Sequence, residues 1–271
     1  MRDLHTWDLS YAEARQLQTQ LAPEVRFTAL RKQPRLIAGL DCAFSSDGQH
    51  VLAAAVVLKT GGWVLNPRGT TSSSQARGSR TRPTLVDPVS FELVETATAS
   101  AELTFPYIPG LLSFREAPAC LAAVRKLKSD PDLFLIDGQG IAHPRRLGLA
   151  AHLGLFLDKP TIGCAKSRLI GTFEPPGAEK GEHTALLDGD EIIGAVVRTR
   201  RNVKPLFISV GNQCRLEDAI RLTLACATRY RLPEPTRLAH QTVTSFKKSC
   251  LLYTSDAADE LDGVDLGGRR I

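Results

Sequence analysis

Residues 36–44 have the sequence Leu36-Ile-Ala-Gly-Leu-Asp-Cys-Ala-Phe44, an apolar run that contains one carboxylate, Asp41. A second apolar run, Leu133–Ile136, leads into Asp137-Gly-Gln-Gly140. Short apolar runs bounded by turn residues are typical of buried strands. A buried carboxylate is costly unless it is paired or binds a cation, and sites form at the ends of central strands in open α/β sheets. The two aspartates therefore mark the expected centre of a site.

The segments around these two strands predict a mixed α/β sheet flanked by helices, in a single domain. Residues 51–58 predict an antiparallel partner for 36–44, and residues 91–97 predict a third strand. Strands followed by alternating strands and helices indicate this architecture. Helices are expected at 10–21, 113–128, 144–157 and 216–230, and strands at 161–165, 186–197 (with a hairpin turn at Asp188-Gly-Asp190) and 205–210.

Two segments fall outside this pattern. Residues 61–90 are rich in Gly, Ser, Thr, Arg and Pro and predict a flexible basic insertion within a domain that spans 1–249. Residues 250–271 are acidic, show no helical or strand period, and look like translated sequencing-adapter DNA. We expect this tail to be non-native and disordered; the alternative is a genuine disordered acidic tail.

Composition excludes several classes of protein. No run of about 18 apolar residues suits a membrane span, and the N-terminus shows no secretory pattern, so we expect a cytoplasmic protein. The six cysteines form no CxxC pair, which argues against a zinc site and predicts reduced thiols. The net charge of +5 is compatible with a polyanionic partner but is weak evidence alone.

Carboxylates on two strands suit Mg²⁺, which takes oxygen ligands, keeps waters and can activate water for phosphodiester cleavage. Asp41 and Asp137 are the candidates, and the alternative for each is a loop cap or a pair with an arginine. Glu116 is a candidate third carboxylate for metal or water. Its alternative is a capping box with Ser113, three residues earlier.

Several further residues suit contacts with nucleic acid. Phe105-Pro-Tyr-Ile-Pro-Gly110 is a stiff turn that presents Tyr107, an aromatic side chain that can wedge between bases or instead pack on the following helix. His143-Pro-Arg-Arg146 and, after the strand at 161–165, Lys166 and Arg168 suit phosphate contacts. A solvated basic face is the alternative for these cations.

In order and spacing, five segments together closely resemble endonuclease V. The resemblance runs from about residue 4 to residue 248, apart from the insertion. The segments are Phe105-Pro-Tyr-Ile-Pro-Gly110, Ser113-Phe-Arg-Glu116, Asp137-Gly-Gln-Gly-Ile-Ala-His-Pro-Arg-Arg146, Thr161-Ile-Gly-Cys-Ala-Lys-Ser-Arg-Leu169 and Leu232-Pro-Glu-Pro-Thr-Arg-Leu-Ala-His240.

The resemblance implies an RNase H-like fold and a set of site residues. Asp41 and Asp137 would hold Mg²⁺, with Mn²⁺ able to substitute, and Glu116 and His240 would complete the site. Lys166 would hold a phosphate, and Tyr107 would be the wedge. His143, Arg145, Arg146 and Arg168 remain the other candidate nucleic-acid contacts. The pocket for the flipped base would be walled by Leu112, Gly138, Gly140 and Gly148.

The implied activity is that of a monomeric DNA repair endonuclease. It would recognise deoxyinosine and hydrolyse the second phosphodiester bond 3′ to the lesion, leaving 3′-hydroxyl and 5′-phosphate ends. The alternatives are an inosine-specific ribonuclease, a non-catalytic inosine-binding protein, and a different RNase H-like nuclease such as an excision-repair incision domain. The chain departs from the family pattern in the long insertion, in the suspect C-terminus, and in Asn212, which stands where a Gly-His pair is common.

Overall fold

The computed structural model describes residues 1–61 and 90–259, and the side chains of those residues up to 250. Within this part of the chain, five α-helices accompany one eight-stranded sheet. The helices are α1 (Tyr11–Leu21), α2 (Leu112–Arg125), α3 (Leu149–Leu157), α4 (Leu216–Cys226) and α5 (Glu234–Asp259). The strands are β1 (Leu36–Phe44), β2 (His50–Gly61), β3 (Ser90–Glu102), β4 (Leu133–Ile136), β5 (Thr161–Ala165), β6 (His183–Asp188), β7 (Glu191–Val197) and β8 (Leu206–Asn212).

The sheet is mixed, as the sequence predicts, with the strand order β3-β2-β1-β4-β5-β8-β7-β6. Strands β1, β4 and β5 run parallel at its centre, and the two outer groups are antiparallel. Helices cover both faces, and their apolar residues form the core with the central strands. Because β1 and β4 pair inside the sheet, the carboxyl end of β4 is held rigidly beside the middle of β1.

Helix α5 packs directly on the backbone of β1. A Cβ atom placed on Gly39 would overlap the carbonyl group of Pro235, in the first turn of α5. Glycine is therefore required here so that the helix can approach the strand closely. This close approach fixes where α5 lies along β1.

Three predicted helix boundaries are wrong. Helix α3 starts at Leu149 rather than residue 144, because Arg146 adopts a left-handed conformation (φ 56°) that interrupts a helix. Helix α4 ends at Cys226 rather than residue 230, since Ala227 leaves helical geometry and its carbonyl oxygen accepts from Lys180 Nζ. Helix α2 ends at Arg125 rather than residue 128.

Helix α5 was not predicted at all, and it corrects part of the expectation for the C-terminus. Its backbone remains helical through Asp259, where we expected disorder from residue 250. The foreign origin of the tail stays a prediction, and residues 260–271 lie outside the described residues. The predicted insertion also lies outside them, apart from Gly61 and Ser90, which end β2 and begin β3. Within the described residues, no helix has the length and apolarity that a membrane span needs.

Candidate active site

Asp41, within β1, and Asp137, directly after β4, lie side by side. In the parallel register Leu40 is paired with Ile136, so each aspartate is the next residue along its strand. The Asp137 amide donates to the Leu40 carbonyl oxygen at 3.1 Å, which extends the pairing to the aspartates themselves. Asp41 is only 8% exposed. Burial and the neighbouring Asp137 carboxylate both raise the pKa of Asp41.

Glu116 brings a third carboxylate to this edge of the sheet from α2. Its side chain is buried, and burial together with the charges of Asp41 and Asp137 raises its pKa to about 8. The capping-box alternative is wrong, because Ser113 lies inside the helix and its hydroxyl contacts His152 Nδ1 at 3.0 Å. Three carboxyl groups therefore lie close together, and ionising all three costs free energy unless a cation offsets it.

Lys166 follows β5 and supplies a cation to the same region. Its ammonium group forms an ion pair with the Asp137 carboxylate. Its backbone carbonyl accepts from Arg231 Nη2 at 2.9 Å, and the next carbonyl, that of Ser167, accepts from Gln139 Nε2 at 2.9 Å. Sequence reasoning missed both supporting side chains. Gln139 had a signal, its place in the Asp137-Gly-Gln-Gly motif, whereas Arg231 had none.

His240 reaches the site from α5. Its Nδ1 lies 2.7 Å from Asp41 Oδ2, and about half of its side chain is exposed. This contact depends on the close packing of α5 on Gly39. Together, β1, β4, β5, α2 and α5 each contribute one of the five residues that the sequence singled out as catalytic: Asp41, Asp137, Lys166, Glu116 and His240.

The buried Glu116 predicts a specific dependence of stability on pH. Its pKa in the folded protein, about 8, exceeds the ordinary value of 4.5. The stabilisation is therefore complete below the ordinary pKa and is lost as pH rises toward 8, by at most about 5 kcal/mol. In EDTA, Glu116→Gln is expected to gain melting temperature over the wild type progressively from pH 5 to pH 9.

The control for this experiment is Glu102→Gln, which changes an exposed glutamate. It is expected to show no comparable trend across the same melts. A difference between Glu116→Gln and the wild type that is constant with pH would contradict the raised pKa of Glu116.

Tyr107 lies on an exposed turn near the start of α2. Its side chain is 70% exposed, so the alternative in which it packs on the following helix is wrong. The ring of Phe105, two residues earlier, is buried instead, with its centroid 5.6 Å from that of Phe114. The turn is thus anchored by Phe105 and presents Tyr107 to solvent.

The predicted phosphate-binding cations are not equally available. His143 is 3% exposed and Arg145 donates to the Gly110 carbonyl oxygen, so both are occupied by internal contacts. Arg146 forms ion pairs with Asp188 at 2.8 Å and Glu191 at 2.7 Å. All three side chains have protein partners in the structure, and their assignment as nucleic-acid contacts stays a prediction. Arg168 is exposed, beside Lys166.

The glycines predicted to wall a base pocket also differ in availability. Gly140 and Gly148 are buried, and their amides donate to Ser209 Oγ and to the Gly140 carbonyl oxygen. These two amides have internal acceptors, and the role of the two glycines as pocket walls stays a prediction. Leu112 is 38% exposed, and Gly138 is half-buried with φ 156°. These two remain candidate walls.

The described residues form a mixed α/β domain in which carboxylates from β1, from α2 and from the residue after β4 come together at one place on the sheet. Residues 69–241 match the family model for Endonuclease V. The endonuclease V of Methanothrix thermoacetophila is 42% identical to this chain over 248 residues, which cover 92% of this chain and 96% of that protein. The chain belongs to the endonuclease V family.

Solved structures agree with this assignment. The endonuclease V of Streptomyces avermitilis is 38% identical, with a TM-score of 0.75 over 90% of this chain and 96% of that one. A variant of the Ciona intestinalis endonuclease V is 26% identical, with a TM-score of 0.66 over 88% of this chain and 97% of that one. That variant was crystallised with a 23mer DNA containing an inosine followed by a ribo-adenosine.

Proposed function

We propose that this endonuclease recognises deoxyinosine in DNA and hydrolyses the second phosphodiester bond 3′ to it, with Asp41 and Asp137 holding Mg²⁺. The observation that carries the proposal is the adjacent pair of aspartates, Asp41 and Asp137, with Glu116 buried near them. The inosine-containing DNA bound to the Ciona intestinalis relative supports the choice of substrate.

The residues present fit a divalent metal ion. Carboxylate oxygens are the ligands that Mg²⁺ prefers, and it needs only one or two of them from the protein because it keeps waters. Within the described residues, no three histidine, cysteine or carboxylate side chains converge into a full ligand set. We therefore expect the two aspartates and water molecules to hold Mg²⁺, or Mn²⁺ in its place. A bound metal ion would supply activation of water and stabilisation of the leaving oxygen.

The chain's own residues would prepare the reaction. The ion pair with Asp137 holds the Lys166 ammonium group at the strand ends, where it can attract the scissile phosphate. If Nδ1 of His240 donates to Asp41, then Nε2 is left as an acceptor for a proton of the attacking water. The water oxygen bonds to phosphorus as its proton passes to His240, the bond between phosphorus and the 3′ oxygen breaks, and that oxygen takes a proton from solvent, which gives 3′-hydroxyl and 5′-phosphate ends.

The proposal is tested with an end-labelled duplex that contains one deoxyinosine. We expect a single nick one nucleotide past the lesion with Mg²⁺ or Mn²⁺, no nick in EDTA, and no nick in the matched duplex with deoxyadenosine. Equal nicking of the deoxyinosine duplex and the deoxyadenosine duplex would contradict the proposed substrate. Nicking that persists in EDTA would contradict the proposed metal dependence.

Inosine in RNA is the second candidate substrate. The DNA bound by the Ciona intestinalis relative carries a ribonucleotide directly after the inosine. This observation is the reason to test an inosine RNA as a substrate. The 2′-hydroxyl is the group that distinguishes the two substrates. Cleavage of an inosine RNA with no cleavage of the deoxyinosine duplex would identify RNA, not DNA, as the substrate.

A further inference from the structure

One carbonyl oxygen at the end of the Tyr107 turn accepts two hydrogen bonds. Residues 105–110, here called the wedge loop, end at Gly110 in a left-handed conformation (φ 78°). The Gly110 carbonyl oxygen lies 2.9 Å from His143 Nε2 and accepts from Arg145 Nη2 at 2.7 Å. A hydrogen bond from a charged donor is about twice as strong as a neutral one, so Arg145 makes the stronger contact.

The hydrogen-bond partners of His143 determine which of its ring nitrogens carries the hydrogen. Burial lowers the pKa of His143 to about 4, so the ring is neutral. Nδ1 accepts from the Arg145 amide at 3.1 Å. In a neutral ring with Nδ1 as acceptor, Nε2 is the donor, and it donates to Gly110. The His143 side chain is thus committed to the wedge loop.

Arg145 is held in place by a buried partner from α1. Its Nε donates to Gln18 Oε1 at 2.6 Å, and Gln18 Nε2 donates to the Leu147 carbonyl oxygen at 3.0 Å. Gln18 is fully buried. The guanidinium group therefore connects α1 to Gly110.

The other end of the wedge loop is also anchored. The Phe105 carbonyl oxygen accepts from Arg115 Nη1 at 3.2 Å, and the Phe105 ring is buried against Phe114. Pro106 and Pro109 restrict the backbone between the two ends. Tyr107 is consequently an exposed ring on a short loop that is held at both ends.

We propose that Arg145 and His143 are positioning residues that hold the wedge loop so that Tyr107 can separate stacked bases in a duplex. The inference rests on the proposed function. Unstacking a base step costs a few kcal/mol, and a loose wedge would move instead of the bases. Single-stranded substrate has less stacking to disrupt, so positioning of the wedge matters chiefly for duplex DNA.

The test compares kcat/KM on a duplex and on a single strand that carry the same deoxyinosine. Arg145→Gln is expected to lose roughly tenfold or more on the duplex and less than about threefold on the single strand. Tyr107→Ala should show the same pattern, and the double variant should add little to either single change because both act through one loop. Arg125→Gln, which removes an exposed cation at the end of α2, is the charge-matched control.

Gln18→Leu is a second variant that keeps every charge, and it should also lose activity mainly on the duplex. Equal losses on both substrates, or additive losses with Tyr107→Ala, would overturn the proposal and indicate a phosphate contact at Arg145. If the wild type nicks neither substrate, the proposed function fails instead, so the two failures are distinguishable.

Discussion

Replacing Asp137 with alanine is expected to lower the rate of nicking at least about a thousandfold. The change removes one of two carboxylates proposed to hold the metal, which supplies several kcal/mol of transition-state stabilisation, and each 1.36 kcal/mol is a factor of about ten. It also removes the anion that holds the Lys166 ammonium group. Single-turnover nicking of the deoxyinosine duplex measures the effect.

A folding defect is not expected to accompany this loss. Asp137 raises the pKa of both Asp41 and Glu116, so its charge is repelled by the groups beside it in the folded protein. In EDTA the melting temperature of Asp137→Ala should equal or exceed that of the wild type. Asp130→Ala, which removes an exposed surface ion pair with Lys159, is the matched control and should nick normally. Nicking by Asp137→Ala within about tenfold of the wild type would contradict the assignment.

Gly39→Ala is expected to lower both stability and activity, although Gly39 has no side chain that could take part in the reaction. Its new Cβ would overlap the Pro235 carbonyl group, which is backbone and cannot rotate away. Overpacking costs typically about 1–3 kcal/mol, and displacement of catalytic groups by about 1 Å can cost a hundredfold in rate. Urea unfolding and nicking measure the two effects.

The loss of activity would arise through His240. Asp41 lies two residues after Gly39 on the strand and His240 five residues after Pro235 on the helix, spans of about 6.6 Å and 7.5 Å. The Gly39–Pro235 contact therefore sets the register in which His240 meets Asp41. His240→Ala is the control, since it removes the ring and leaves the helix packing, and should cost activity alone. Wild-type stability in Gly39→Ala would contradict the close contact.

Local patterns in the sequence were sufficient to predict most of the sheet. Strands β1, β4 and β5 have the predicted bounds, because apolar runs of this length are buried wherever they lie in a mixed sheet. The predicted start of α1 follows from a capping box, in which the Ser10 amide donates to Glu13 Oε2 at 2.8 Å. These features depend on residues close together in the chain.

Helix α5 was missed although its signal was present. Ala239, Val243 and Phe246 recur at helical spacing, and all three pack against β2 and its neighbours. Without α5, local patterns could not place His240 beside Asp41, 199 residues away in the chain, and only the family resemblance brought the two residues together.

The partners of the cations could not be predicted, because a sequence shows a charge but not what neutralises it. Arg146 pairs with Asp188 and Glu191, 42 and 45 residues away. Arg145 donates to Gly110, 35 residues away. Both were predicted to contact phosphate from their position in a basic motif; that stays a prediction, and the folded chain adds protein partners that the sequence could not show.

Iron-directed cleavage of the protein tests most directly whether Asp41 and Asp137 hold the metal, with Glu116 close by. Fe²⁺ in place of Mg²⁺, with ascorbate and peroxide, produces radicals that cut the backbone near the ion, and mass spectrometry locates the cuts. We predict cuts around residues 41, 116 and 137 that excess Mg²⁺ suppresses and that disappear in the Asp41→Asn, Asp137→Asn double variant. Cuts elsewhere, or the same cuts in the double variant, would contradict the account.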